Sequence, residues 1–360
     1  MNYFKIARQL LFKKLPIYFI LFVTNKCNAK CRHCFYWKNI NRQNEELKLE
    51  ELIKISQNIK SIEHLAITGG EPFLRQDLAS IVQAFYENSG IKSISLQSNG
   101  FLTEEILVSV KRILNRCPKL NLQLAISIDN IGSQHDQIRQ VPGVFSQAIE
   151  TIKKLKTIKR RNLQIAVNTT LSSQNQNNIE NIYFYIRDVI KPDAFYPLLC
   201  RGDIKDKELK DIDPNVYKKL IDLCRNDIVK GKLGYKNFLF SSWLNSRDIL
   251  ARKLVLNKIL NKKTPLINCF AGNLTGVMYE NGDVYACELK DLKLGNIREA
   301  DYQLKKIWLS LEAAQVRKWI KQTRCSCTHE CFFNFNVLFN LKMAPKIFKE
   351  WLCTKILKYH

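Results

Sequence analysis

Residues 17–34, IYFILFVTNKCNAKCRHC, set an unbroken apolar run directly before three cysteines, Cys27, Cys31 and Cys34. The run is well short of the ~20 apolar residues that cross a bilayer. No small-residue cleavage site follows it, so it is not a secretion signal either. Its β-branched and aromatic content makes it a buried strand, which leaves the cysteines in the loop after that strand. They stand four and then three positions apart. A disulfide needs two thiols and structural zinc usually takes four ligands. A four-iron cluster usually takes four thiolates, so three leave one iron open to another ligand. Zinc completed by His33 is the rival reading, but His33 and Cys34 are neighbours that converge poorly on one tetrahedral ion.

Five further strand-like runs follow: HLAIT (64–68), KSISLQ (92–97), NLQLAISI (121–128), LQIAVNTT (163–170) and DAFYPLL (193–199). Helical patterns such as TEEILVSVKRILNRC (103–117) separate them. Strands with so few polar positions read as buried on both faces, as in a parallel sheet. Six βα units over residues 17–203 predict an α/β fold, a partial (βα)6 TIM-like barrel with its site at the C-terminal ends of the strands. An open doubly wound sheet is the alternative from pattern alone. Residues 1–16 read as an N-terminal amphipathic helix and 204–268 as a lysine-rich helical linker. Residues 269–360 read as a small α+β, cysteine-rich domain, with a hairpin at Asn281-Gly282 in VMYENGDVYACE.

At 360 residues, 46% hydrophobic and 25% charged, the chain has the composition of a soluble globular protein. Its twelve cysteines cluster near residue 30 and after residue 269. That distribution suits metal binding or catalysis in a reducing, cytoplasmic setting better than a disulfide framework. The formal charge of +24 draws polyanions, anionic lipid or acidic peptides, although a bias towards Lys, Asn and Ile produces the same charge without a partner. NYFKIARQLLFKK (2–14) and LKMAPKIFKEWLCTKILKY (341–359) are basic and amphipathic, compatible with peripheral membrane contact as well as with packing on their own domain. A zinc-ribbon nucleic-acid binder is the non-enzymatic rival. It gives no role to the residues at the other strand ends, and no specific nucleic acid is expected.

Those strand ends carry polar and glycine-rich motifs. After the second strand comes TGGEP, with Gly69, Gly70, Glu71 and Pro72; after the third, QSNGF, with Asn99 and Gly100. The fourth ends in SIDN, with Ser127 and Asp129, and is followed by HDQIRQVPGVF, with Arg139; the fifth ends at Asn168 and Thr169. Glycines allow close backbone approach, and a short carboxylate accepts well from hydroxyls. Each motif alone reads equally as a turn, a cap or a loop brace.

Together with CNAKCRHCFYW, the order of these motifs resembles the radical S-adenosylmethionine (SAM) superfamily, over roughly residues 17–200. The resemblance implies a [4Fe–4S] cluster on Cys27, Cys31 and Cys34 whose open iron binds SAM. Reductive cleavage of SAM then gives a 5′-deoxyadenosyl radical that removes a substrate hydrogen atom. It further implies that Gly69, Gly70, Glu71 and Pro72 hold the SAM amino group and that Ser127 and Asp129 hold the ribose. His33 falls near the adenine, Arg139 is a partner for the carboxylate, and Asn99 and Asn168 complete the cofactor pocket. From Cys269 the chain resembles a SPASM extension, with Gly282 and Cys287 in the family's glycine, four residues, cysteine arrangement. CSCTHEC (325–331) is shorter than the family's run of cysteines. The resemblance implies at least one auxiliary [4Fe–4S] cluster, with Cys269, Cys287 and Cys331 leading and Cys325 or Cys327 completing the set. Cys200, ending the sixth strand, is a candidate hydrogen donor to a substrate radical, with a plain core position as its alternative. Relatives with this extension often mature peptides. The expected reaction is therefore radical modification of a peptide or protein, with a cell-envelope sugar, lipid precursor or cofactor intermediate as the other substrate class. An electron donor such as flavodoxin or ferredoxin is implied.

Overall fold

The computed structural model describes residues 15–60, 62–235, 240–261 and 267–356. Most of the helix expected over 1–16 lies outside them. The first half alternates strand and helix. In order these are β1 (Tyr18–Phe22), α1 (Leu49–Asn58), β2 (His64–Thr68), α2 (Leu78–Ser89), β3 (Ser93–Ser98), α3 (Thr103–Arg116) and β4 (Asn121–Ser127). Then follow α4 (Ser133–Arg139), α5 (Val144–Lys156), β5 (Leu163–Leu171), α6 (Ile179–Phe184) and β6 (Ala194–Leu199). The helices form where the sequence is one-sidedly apolar. In α3, Ile106, Val110, Ile113 and Leu114 are buried, while Glu104 and Glu105 in the first turn and Arg116 in the last complement the helix dipole.

Two helices, α7 (Pro214–Val229) and α8 (Ser241–Ile259), lead into the C-terminal region. Asp213 caps α7 by accepting from Asn215 N, with Pro214 at its first position. The region beyond contains β7 (Thr275–Met278), β8 (Asp283–Tyr285), β9 (Lys293–Asn296), α9 (Leu304–Trp308), α10 (Leu311–Gln322), α11 (Glu330–Phe339) and α12 (Ala344–Ile356). The expected hairpin forms, with β7 antiparallel to β8 and Gly282 in the left-handed region at φ +89°.

The nine strands among the described residues make one sheet, in the order β6-β5-β4-β3-β2-β1-β7-β8-β9. Strands β1 to β6 are parallel, and β7 joins β1 in parallel, with Tyr18 opposite Thr275 and Leu21 opposite Met278. The cysteine-rich region therefore extends the barrel sheet rather than standing beside it.

The expectation that the strands are buried on both faces is corrected. Outward residues such as Ile94, Leu96, Leu122, Leu124, Ile165 and Val167 are buried in the main core. The opposite, inner face carries Gln97, Gln123, Ser127, Gln164, Asn168 and Tyr196, all only half-buried. Cross-strand bonds order this polar wall. Gln123 Nε2 donates to Gln164 Oε1 at 2.5 Å and to Tyr196 Oη at 3.0 Å, and Asn168 Nδ2 donates to Gln97 Oε1 at 2.6 Å. The helix α11 reaches both ends of the parallel set. Its Phe332 and Phe335 pack on Tyr18 of β1, and Glu330 Oε1 accepts from Leu199 N of β6 at 2.8 Å. That contact satisfies an N–H on an edge strand, which otherwise invites mispairing.

Candidate active site

The loops leaving β1 to β5 are tied to one another by short polar contacts. The β1 loop carries Cys27, Cys31 and Cys34, and Asn41 braces it through a bond from Cys27 N to Asn41 Oδ1 at 2.9 Å. Gly69 and Gly70 are explained by this loop. A Cβ on Gly70 would lie 2.2 Å from the Lys26 carbonyl oxygen, and one on Gly69 would lie 2.3 Å from that of Thr24. Instead the two backbones bond, Gly70 N to Thr24 O and Glu71 N to Lys26 O, each at 2.8 Å.

Glu71 is buried and braces the third loop. Its Oε2 accepts from Asn99 N at 2.8 Å, and its Oε1 accepts from Ser98 Oγ at 2.9 Å and Phe73 N at 3.3 Å. Burial pushes its carboxyl up to about 7. Pro72 opens the single turn that follows. Asn99 Nδ2 donates to Asn28 Oδ1 at 2.7 Å, returning the network to the cysteine loop.

Asp129 and Arg139, expected to meet separate parts of SAM, are paired with each other at 2.6 Å. Asp129 Oδ1 also accepts from Thr170 N at 2.8 Å, and Arg139 Nη1 donates to Cys31 Sγ at 3.6 Å. Burial alone would raise the Asp129 carboxyl, but Arg139, with His33 and His135, holds it below the usual carboxylate range. His33 Nε2 lies 3.8 Å from Asp129 Oδ2, and burial lowers both His33 and His135 to about 4. Asp129 N donates to His135 Nδ1 at 3.0 Å, so the proton of neutral His135 sits on Nε2. Ser127 and Asn168 face each other on the inner wall just below this cluster. Cys200 is buried in a small apolar group with Ile204 and Leu209, against which Phe35 of the cysteine loop packs, and lies near enough to Asp129 for that carboxylate to act on its thiol.

The residues present fit an iron–sulfur cluster with a polar cofactor beside it. Burial pushes Cys27 up to about 12 and Cys34 to about 11, and Cys31 upward also, so the thiolates call for a cationic centre. Asn28 Nδ2, His33 Nδ1 and Arg139 Nε are buried around them with no protein partner.

In the C-terminal region, Cys269 and Cys325 share a hydrogen bond. Cys327 acts electrostatically on Cys269 and Cys287, and Lys258 faces Cys327, Cys325 and Cys269. Cys331 has different neighbours. It shares a hydrogen bond with the Tyr18 hydroxyl and lies half-buried beside Arg201, Glu288 and Glu330. Arg201 acts on Cys331 and Cys327 alike, so it stands between the two groups of thiols. Among the described residues no three Cys, His, Asp or Glu side chains converge tightly on one ion. A cubane asks less, because each thiolate binds a different iron.

Sequence reasoning missed two features. One is the inner wall, whose signal was the alternation of Gln, Ser and Asn within otherwise apolar strands. The other is a buried ionic group: Arg201 pairs with Glu330 at 2.7 Å and Glu288 at 3.7 Å, and His329 bonds Glu288. Nothing local in the sequence marks that group, because its members are brought together from β6 and two C-terminal segments.

Residues 21–186 match the radical SAM superfamily model, and residues 269–332 match the iron–sulfur cluster-binding SPASM domain. The chain is a radical SAM enzyme. Its cofactors are SAM, a [4Fe–4S] cluster and auxiliary iron–sulfur centres. It is 26% identical over 287 residues to the sporulation killing factor maturation protein SkfB of Bacillus subtilis; the match covers 79% of this chain and 63% of that protein. It is 22% identical over 336 residues to the pre-heme d1 synthase of Dinoroseobacter shibae, covering 86% and 78%. SuiB of Streptococcus suis bound to SAM has a similar fold, with TM-score 0.62, 17% identity, and 87% and 72% coverage. That protein is also known bound to its precursor peptide SuiA, at TM-score 0.59 and 16% identity, covering 88% and 70%.

Proposed function

We propose that this radical SAM enzyme abstracts a hydrogen atom from a peptide held against the inner wall of the barrel. The observation that carries this is the wall's neutrality. Among the described inner-face positions of β2 to β6 there is no Asp, Glu, Lys or Arg, although a quarter of the chain is charged. His64, the one titratable imidazole there, is lowered to about 4 by burial and so is neutral. Carboxamides and hydroxyls pair well with peptide groups, and at the β5–β6 end the wall shares a cavity with Arg252 and Asp248 of α8. The names of SkfB and of the SuiB–SuiA complex point the same way.

Cys27, Cys31 and Cys34 would hold the first cluster, which supplies one electron to cleave SAM and so starts hydrogen abstraction. Gly69 and Gly70 set the distance between the cysteine loop and the β2 loop, and Glu71 with Asn99 fixes the third loop to both. Asp129 and Arg139, with His33 beside them, present the polar groups nearest Cys31; Ser127 and Asn168 line the passage to the wall. Cys269, Cys287, Cys325 and Cys327 would hold an auxiliary cluster, with Lys258 offsetting its negative charge. A one-electron donor of the flavodoxin or ferredoxin class would complete the system, in the cytoplasm where thiols stay reduced. No described helix is long and apolar enough to cross a membrane.

The test uses anaerobically reconstituted enzyme with SAM, reductant and an extract of cells grown in deuterated medium. Deuterium should appear in 5′-deoxyadenosine, and protease treatment of the extract should abolish its appearance. Transfer that survives protease treatment would show a small-molecule substrate instead.

A further inference from the structure

We propose that the outward face of α12 is a docking surface for an anionic lipid bilayer. The helix is firmly seated on the body of the protein. Ile347 and Glu350 face inward and are buried. Glu350 pairs with Lys253 at 2.6 Å and Arg225 at 3.4 Å, and Trp351 Nε1 donates to Ser242 Oγ at 3.1 Å. This seating fixes which face looks out.

Phe348, Leu352 and Ile356 stand four residues apart on that outer face, 48%, 41% and 59% exposed. Spacing of this kind keeps them in one stripe along the helix. Lys346, Lys349 and Lys355 are exposed around it, as are Leu341 and Lys342 in the turn before the helix. The only carboxylate on α12 is Glu350, which is turned inward and neutralised, so the outer face is purely cationic and apolar. Phe348 stacks on Trp351 at 5.6 Å, placing an aromatic pair at the border of stripe and body.

Charge complementarity selects the occupant. Lysines flanking an apolar stripe attract anionic headgroups while the stripe enters the acyl boundary. At 13 residues the helix is too short to span, so it would lie in the interface. The proposal does not depend on which substrate the enzyme takes.

Full-length reconstituted protein should float with vesicles of phosphatidylcholine containing about 30% phosphatidylglycerol and not with phosphatidylcholine alone. Raising salt to about 0.5 M should weaken that binding. The triple variant F348S/L352S/I356S, and separately K346E/K349E, should each lower vesicle binding about tenfold or more. Melting temperature, iron content and SAM cleavage should be unchanged in both. Binding that is absent, equal on neutral vesicles, or kept by both variants would overturn the proposal. So would a wild-type dimer that becomes monomeric in the triple variant, which would show a second copy to be the occupant.

Discussion

Gly70→Ala adds one methyl group at the tightest contact between the cysteine loop and the β2 loop. Its Cβ would sit 2.2 Å from the Lys26 carbonyl oxygen, 2.6 Å from the carbonyl carbon and 2.9 Å from Asn25 O. All three are backbone atoms, so no side chain can swing away. Clearing the contact needs the loops to part by about 1 Å or more, given ordinary carbon contacts near 3.5 Å. A shift of that size takes the 2.8 Å bonds from Gly70 N and Glu71 N beyond bonding range. Overpacking costs about 1–3 kcal/mol and the two hydrogen bonds about 1 kcal/mol each, roughly 3–5 kcal/mol together. Gly90→Ala is the matched control. It has φ +70° but nothing within 4 Å of its added Cβ, so it bears only a left-handed backbone cost of about 1–2 kcal/mol. The assays are the melting temperature of the metal-free chain and iron per chain after anaerobic reconstitution. Gly70→Ala should melt lower than Gly90→Ala and lose the share of iron bound by the Cys27 loop, keeping the auxiliary share. If Gly70→Ala melts no lower than Gly90→Ala and binds the wild-type amount of iron, the close-approach argument is wrong.

Two further outcomes test the electrostatics. His64, bonded to Ser93 Oγ and Ser95 Oγ at 2.8 and 3.0 Å, has its folded pKa lowered to about 4 from 6.5. The unfolded chain therefore binds more protons between those values, so stability is full above pH 6.5 and falls as pH drops towards 4, by up to about 3 kcal/mol. His64→Gln should flatten that part of the melting-temperature profile relative to wild type. Arg139→Leu leaves Asp129 buried without its counter-ion and should cost about 3–5 kcal/mol. Adding Asp129→Asn to it should recover part of that loss in chemical denaturation, whereas simple additivity of the two changes would deny that the pair is coupled.

The parallel strands were legible because their outer face is apolar save for buried Ser98 and Thr169, and the helices between them carry clear 3.6-residue periodicity. The same reading hid the inner wall. Gln97, Gln123 and Gln164 occupy single positions inside apolar runs, and only the register that sets Gln123 beside Gln164 turns them into a surface. The strand-end motifs were visible as glycine and carboxylate patterns, yet their mutual geometry was not. That Asp129 and Arg139 pair, or that Glu71 spends its acceptors on Ser98 and Asn99, depends on distances between loops. Among the C-terminal thiols, sequence spacing did not show that Cys325 bonds Cys269 whereas Cys331 bonds the Tyr18 hydroxyl of β1.

The pairing of β7 with β1 had no sequence signal, and it changes what the cysteine-rich region is for. Without it, β1 would be an edge strand, its backbone groups open beside the cysteine loop. The same region holds that loop from a second side: Tyr36 Oη donates to Glu280 Oε2 at 2.6 Å, and Arg298 Nη1 donates to the Glu45 carbonyl at 3.2 Å. At the other end of the parallel set, Arg201 and Leu199 are tied to Glu330. A boundary drawn at residue 269 thus separates two cofactor motifs that share one sheet. The auxiliary centre would be built beside the same sheet that positions the first cluster.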